Sequence, residues 1–181
     1  MSARKPAAPA WSFPVTVAAI PETGRRVDLV ADQGAREVIA KAANLAALPR
    51  LEAGFDLTRH SAEGLRLVGR VHAMVVQNCV VTLEPIKSEI DEAVDLVFLP
   101  GASVAANTAA LPAAGAEEPP ETLKDGVLDL AAVATEFLLL GIDPYPRKPG
   151  AVFDAPPAGD PSSHPFAALA ALKKGDNPKK G

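Results

Sequence analysis

The most reactive side chains in this 181-residue chain are one cysteine, Cys79, and three histidines, His60, His72 and His164. A thiol nucleophile would need a base such as His72. That residue lies seven positions before Cys79, so in an extended strand the two point to opposite faces. We therefore expect Cys79 to pack as a small apolar residue. Tetrahedral zinc needs about four nitrogen or sulfur ligands. The sequence therefore predicts no metal, no cofactor and no catalytic residue.

Two glutamates, Glu84 and Glu136, could serve as a carboxylate pair in acid–base chemistry. The alternative is structural: Glu84 accepts backbone N–H bonds in the turn before Pro85, and Glu136 lies on the outer face of a helix. We favour the structural alternative. The sequence has no phosphate-binding glycine loop and no Ser/His/Asp pattern. We therefore predict that the protein is not an enzyme.

A proline-rich segment, residues 143–150, has the best chemistry for binding a partner, and we call it the strap. Its candidate partner-binding residues are Asp143, Tyr145, Arg147 and Lys148. Its prolines favour an extended backbone that loses little entropy on binding. An aromatic ring beside two cations suits a nucleobase with its phosphate, and it also suits a protein groove. The alternative is a strap that folds back over the domain with Tyr145 as a lid on the core.

A pair of amphipathic strands must position these residues. Apolar and polar residues alternate over residues 65–76 and 86–98, which predicts two strands with one buried face. The short link between them, residues 77–85, predicts antiparallel pairing, and we call this link the corner. It holds Cys79, Thr82, Glu84 and Pro85. A further strand over residues 51–57 precedes them, so the three strands are expected to form a meander.

Two helices are predicted beside this sheet. Asp32 is a candidate N-cap for a helix over residues 34–48, which Pro49 ends. Asp129 is a candidate N-cap for a helix over residues 130–140, and Gly141 fits the left-handed position after its end. The predicted fold class is α+β: an antiparallel sheet in a meander, two or three packed helices and flexible Ala/Pro-rich segments.

Composition divides the chain into three parts. Residues 1–10 are expected to be a flexible arm, residues 11–155 a single α+β domain with a mobile insert at about 101–120, and residues 156–181 a tail with a short helix. The net charge of −4 argues against a protein that coats nucleic acid by charge alone. A single cysteine fits a reducing compartment. No apolar run is long enough to span a bilayer and no secretory signal precedes the domain, so we expect a cytoplasmic location without membrane contact.

Two segments together resemble a known family. The corner resembles the C-x-x-(C/T)-L-E-P motif of the YceD-like large ribosomal RNA subunit accumulation proteins. Residues 125–150 resemble the segment of its alphaproteobacterial branch that begins D-G-x-I-D-L and ends D-P-Y-P-R, and the whole resemblance covers roughly residues 11–155. It implies a role in accumulation of the large-subunit ribosomal RNA.

The chain departs from the family pattern at its cysteines. Many relatives have C-x-x-C at the corner and further cysteines near the strap, whereas this chain has Thr82 and no thiol near Tyr145. Any zinc site of the relatives is therefore not expected here. The resemblance predicts a non-enzymatic factor in large ribosomal subunit biogenesis, whose partner is ribosomal RNA or a large-subunit assembly protein. The alternative is a protein-interaction adaptor that never touches RNA. The oligomeric state stays open.

Overall fold

The computed structural model describes residues 11–101, 120–123 and 125–153. The chain divides into two compact units, Met1–Pro149 and Gly150–Gly181, and the elements below belong to the first. The predicted arm over residues 1–10 and tail over residues 156–181 lie outside the described residues. The predicted insert does too, apart from its terminal residues Gly101 and Pro120.

A five-stranded sheet forms the centre of the first unit. Its strands are β2 (Arg25–Val30), β3 (Ala47–Arg59), β4 (Leu65–Asn78), β5 (Pro85–Pro100) and β6 (Glu121–Leu123). Strands β2 to β5 are antiparallel neighbours in chain order, and β6 adds to the end of β5 in parallel. The predicted α+β meander is therefore confirmed.

The pair β4 and β5 keeps one register from Leu65 opposite Phe98 to Asn78 opposite Pro85, which confirms the predicted antiparallel pairing. Alternate residues of both strands are apolar and buried, as at Val71 and Val94. The opposite face is wet and carries cross-strand ion pairs. One face therefore supplies the core of the unit and the other faces water.

A small second sheet and two helices complete the unit. Strand β1 (Pro14–Thr16) pairs antiparallel with β7 (Val127–Asp129). Helix α1 covers Gln33–Ala42 and packs on β3, and helix α2 covers Leu130–Gly141 and packs on β4 and β5. No helix in the described part of the chain is long and apolar enough to cross a membrane.

Helix α1 is shorter than predicted. Asp32 is its N-cap as expected, because its carboxylate accepts the Ala35 N–H at 2.8 Å. The predicted end at residue 48 is wrong: the helix ends at Ala42, and Asn44 follows with φ 54°. A left-handed asparagine is a common way to end a helix. Residues from Ala47 onward then join β3, which continues through Pro49 with a shift of register before Arg50.

Helix α2 follows its prediction closely. The Asp129 carboxylate accepts the N–H groups of Ala131 and Ala132, so it is the N-cap. Gly141, however, is the last residue of the helix rather than a left-handed residue after it. Its lack of a side chain serves packing, because a Cβ there would lie 2.5 Å from Ile90 Cγ2.

Candidate functional site

The corner and the strap form one hydrogen-bonded structure, although they are more than sixty residues apart in the chain. The Gln77 side-chain amide donates to the Asp143 carbonyl at 2.8 Å. The Val80 N–H donates to the Pro146 carbonyl at 2.9 Å. We call residues 77–85 together with residues 143–149 the corner–strap unit. It lies where β4 ends, β5 begins and the chain leaves α2.

The corner is a tight loop closed by its own backbone. The Cys79 N–H donates to the Glu84 carbonyl at 2.8 Å, and the Leu83 N–H donates to the Cys79 carbonyl at 2.9 Å. Thr82 accepts the Glu84 N–H through its hydroxyl at 3.4 Å. The loop requires φ 61° at Leu83, a left-handed conformation that is unfavourable for a leucine. Pro85 begins β5, as its position in the sequence predicts.

The Cys79 sulfur joins the two halves of the unit. It accepts the N–H groups of Val81, Thr82 and Lys148, each at 3.4 Å. These donors, with Lys148 contributing most and the Thr82 hydroxyl next, lower the pKa of the Cys79 thiol to about 6. Cys79 is fully buried at the corner, as expected of a small apolar residue, and its sulfur in addition accepts backbone N–H bonds that the sequence did not predict.

His72 does not meet Cys79. Its side chain is part of the wet sheet face, where Nδ1 lies 3.4 Å from the Asp91 carboxylate. Cys79 and His72 therefore do not form a nucleophile and its base. The two glutamates are also separated: Glu84 belongs to the corner, whereas Glu136 lies in α2 beside Asp95 of β5.

Lys148 and Glu84 form an ion pair between strap and corner, with Nζ 2.8 Å from Oε2. The Lys148 ammonium lowers the pKa of the Glu84 carboxyl, and the carboxylate raises the pKa of Lys148. Glu84 accepts a backbone N–H as expected, from Cys79, but it does so through its carbonyl oxygen, whereas its carboxylate pairs with the Lys148 ammonium. Lys148 is therefore engaged inside the unit and is less available to a partner than the sequence alone suggests.

The outer surface of the unit is apolar and cationic. Tyr145 is 72% exposed, Leu83 76% and Val80 46%. Arg147 is also exposed, and within the described residues its guanidinium makes no hydrogen bond or ion pair. The strap does fold back onto the corner, as the alternative proposed, but its buried residue is Pro146, so the expectation that Tyr145 covers the core is wrong.

Asp143 has an internal role. Its Oδ1 accepts the Tyr145 N–H at 2.8 Å, which closes a local turn of the kind that aspartate favours. Of the four strap residues predicted to bind a partner, Asp143 and Lys148 stabilise the strap while Tyr145 and Arg147 face outward. Leu83 was missed by the sequence interpretation. The sequence does hold one indication of its exposure, a large apolar residue that follows the polar Thr82 in a short loop.

The donors at the corner do not fit a zinc site. Cys79 is the single thiol of the chain, and Thr82 occupies the position of the second cysteine in C-x-x-C. Across the ranges that the structure describes, no three His, Cys, Asp or Glu side chains converge on one point. Backbone N–H groups surround the sulfur where a metal site would need further ligands.

Comparison with known proteins gives one family. The YceD family, described as large ribosomal RNA subunit accumulation protein YceD, matches residues 67–173, which is more than half of the chain. The match includes both the corner and the strap. The chain belongs to this family, and the family name implies a role in large-subunit ribosomal RNA accumulation. No curated protein and no solved structure matches the chain.

Proposed function

We propose that this YceD-family protein supports accumulation of large-subunit ribosomal RNA as a non-enzymatic, cytoplasmic binding factor, and that the corner–strap unit is its partner-binding surface. The family name supports the process. The surface rests on one observation: the strap is held to the corner through Cys79, Val80 and Glu84, while Tyr145 and Arg147 remain exposed.

The internal bonds of the unit prepare it for binding. Two prolines restrict the strap around Tyr145, and hydrogen bonds fix the backbone at Asp143 and Pro146. A partner therefore loses little free energy in ordering this segment. Because Pro146 is buried, the side chains on either side of it face outward. An exposed aromatic ring and a guanidinium can stack on a base and bind a phosphate of single-stranded RNA.

A binding role also fits the state of the reactive groups. The Cys79 thiol has a lowered pKa, but it is buried and its sulfur accepts bonds from the protein itself. The Glu84 carboxylate is neutralised by Lys148. The Glu84 side chain is about half exposed, but its carboxylate is paired with Lys148, so both groups take part in bonds that hold the unit together.

A protein partner is the second candidate, and Leu83 favours it. A leucine in the left-handed region costs about 1–2 kcal/mol. Its side chain nevertheless faces water, so no packing inside the described residues offsets the cost. Strain of this kind, together with an exposed apolar side chain, is typical of a contact surface.

The experiment compares Arg147→Ala with Arg25→Ala, an exposed arginine of β2, in a strain that depends on the variant. Thermal melting first checks that both proteins fold. We expect reduced large-subunit RNA and reduced RNA recovery after ultraviolet crosslinking for Arg147→Ala alone, with a loss of about 1 kcal/mol in RNA affinity. Normal RNA levels from a normally folded Arg147→Ala protein would reject the strap as the functional surface.

Leu83→Asn separates the two candidate partners, because asparagine tolerates the left-handed conformation. A protein partner predicts lost co-purification of that partner with unchanged crosslinking of RNA to the protein. An RNA partner predicts crosslinking that depends on Arg147 and is unaffected at Leu83.

A further inference from the structure

The outer edge of β5 has no strand beside it over most of its length. The strand pairs with β4 from Pro85 to Phe98, but β6 reaches it only at Phe98, Leu99 and Pro100. In the described part of the chain, no strand covers the other edge from residue 86 to residue 97. The backbone groups on that edge need water or a partner strand.

A groove lies between this edge and helix α2. Its volume is about 420 Å³, and its apolar lining includes Leu96, Phe137 and Leu140. Leu96 and Phe137 are half-buried, and Leu140 is 71% exposed. An exposed apolar groove beside an open sheet edge is the geometry that extended peptides use when they add a strand.

The rim of the groove is acidic. Asp95, Glu121 and Glu136 line it, and none of its lining residues is basic. Asp95 is balanced by a two-point ion pair with Arg66. Glu121 and Glu136 have no ion pair within the described residues. The groove therefore keeps a net negative charge next to its apolar floor.

We propose that the free edge of β5 docks an extended basic peptide segment of a partner protein as an added strand. The groove spans residues 93–98 of the strand, which corresponds to about 17 Å and so to five or six residues of the incoming peptide. Main-chain bonds to the edge supply affinity. Alternate apolar side chains enter the groove, and the carboxylates of Glu121 and Glu136 on its rim attract the lysines or arginines between them.

Charge distinguishes this occupant from a second copy of the chain and from the chain's own residues 102–119. A second copy would bring the rim of one groove, with its Glu121 and Glu136, toward the same carboxylates of the other, which is repulsive. The chain's own residues 102–119 include Glu117 and Glu118 but no lysine or arginine. Prolines at 119 and 120 have no N–H to donate to a ladder.

The groove and the exposed residues of the corner–strap unit are separate along both elements. Pro85 and Asp95 are ten residues apart on β5, about 33 Å along an extended strand, and Arg147 is seven residues beyond Leu140, the last residue of the groove. Binding at the edge should therefore be unaffected by Arg147→Ala, and failure of either proposal leaves the other intact.

The test measures fluorescence anisotropy of the full chain with a labelled synthetic peptide of about eight residues that alternates lysine and valine. A second peptide has the same sequence with alternate backbone nitrogens methylated, which removes its ladder donors. A third replaces lysine by glutamate. We expect saturable binding of the first peptide and none of the other two. Equal binding of the methylated peptide would overturn strand addition, and binding of the acidic peptide would overturn charge selection.

Two charge reversals locate the site. Glu136→Lys reverses one charge at the rim of the groove, and Glu37→Lys reverses one charge on the exposed face of α1, away from the groove. We expect affinity for the basic peptide to fall about fivefold or more for Glu136→Lys and to stay within about twofold for Glu37→Lys. Equal losses would show non-specific attraction and overturn the proposal. No loss in either variant would overturn it as well.

Discussion

Asp129 joins helix α2 to strand β1, and its removal should destabilise the whole unit. Its Oδ1 accepts the N–H groups of Phe13 at 2.8 Å, Ala131 at 3.0 Å and Ala132 at 3.3 Å. Its Oδ2 accepts the Ser12 hydroxyl at 2.6 Å. One carboxylate thus caps the helix that leads into the strap and also holds the first strand of the chain. We expect Asp129→Ala to lower stability without changing the exposed surface of the corner–strap unit.

The expected loss for Asp129→Ala is about 2–3 kcal/mol. Loss of an N-cap costs about 1 kcal/mol. The bonds from Phe13 and Ser12 add a similar amount or somewhat more, since each ends on a charged acceptor. For a domain of this size the total corresponds to a fall of about 5–10 °C in Tm. It is a large fraction of the 5–15 kcal/mol that typically separates folded from unfolded chains.

Urea unfolding of a matched series of variants measures how much each of the bonds to Asp129 contributes to the free energy of unfolding. Asp129→Asn keeps the Oδ1 acceptor and its three backbone bonds but removes the charge, so we expect a loss of about 1 kcal/mol. Ser12→Ala removes one bond and should cost about 0.5–1 kcal/mol. If Asp129→Ala and Asp129→Asn were equally stable, the backbone bonds to Oδ1 would contribute nothing and the reasoning would be refuted.

The same series has a pH signature. Partial burial raises the pKa of Asp129, but the bonds from Ser12, Phe13 and the two helix N–H groups outweigh it, and the net pKa is lowered. A lowered folded-state pKa stabilises the protein above the usual aspartate pKa, and this contribution is lost as the pH falls through the folded value. The stability difference between the natural protein and Asp129→Asn should therefore shrink below about pH 4. A difference that is constant through this range would contradict the shift.

Three further predictions concern single positions. The pKa of Cys79 is lowered from its usual 9.0 to about 6, so the Tm of the natural protein relative to Cys79→Ser should be lowest below pH 6 and should rise toward pH 9. Melting scans at pH 5.5 and 8.5 measure this change, and a difference independent of pH would contradict it. Leu83→Gly should leave the free energy of unfolding within about 1 kcal/mol, because relieved strain offsets lost chain entropy, yet reduce large-subunit RNA if Leu83 contacts the partner. Gly69→Ala should lower the free energy of unfolding, measured in urea, by about 3 kcal/mol or more, because its Cβ would lie 2.1 Å from the Gly54 carbonyl oxygen. Gly34→Ala is the control. Its Cβ would lie 3.5 Å from the nearest atom, so its effect on stability should be neutral or favourable.

The sequence predicted the elements whose signals are local. Period-two alternation over β4 and β5 has a single reasonable interpretation, and the short corner fixed their antiparallel pairing. Asp32 and Asp129 each precede an apolar helical pattern and proved to be N-caps. The end of α1 was placed wrongly because Leu45 continues the helical spacing. The left-handed backbone at Asn44 outweighs that spacing.

The candidate site depends on contacts that sequence spacing does not contain. Tyr145 and Arg147 were predicted to face a partner from their chemistry, and the structure places both at the surface. The bonds from the strap to Cys79 and Glu84 join segments more than sixty residues apart. A polar role for a cysteine sulfur depends on where three N–H groups point, and residue type does not encode that direction. From their charge alone, Lys148 and Arg147 were equally good candidates for binding a partner. Within the described residues, however, Lys148 has an acidic partner and Arg147 has none.

The residues of the corner–strap unit separate into those that build it and those that it presents. Cys79 and Glu84 each bond across the unit, so the loss of either would change the backbone. Leu83, Tyr145 and Arg147 make no such bond through their side chains within the described residues, and all three face water. A strained leucine and an exposed aromatic ring both lower the stability or solubility of an isolated protein. Since these side chains make no hydrogen bond or ion pair within the described residues, they are the ones that the proposed function assigns to contact with a partner.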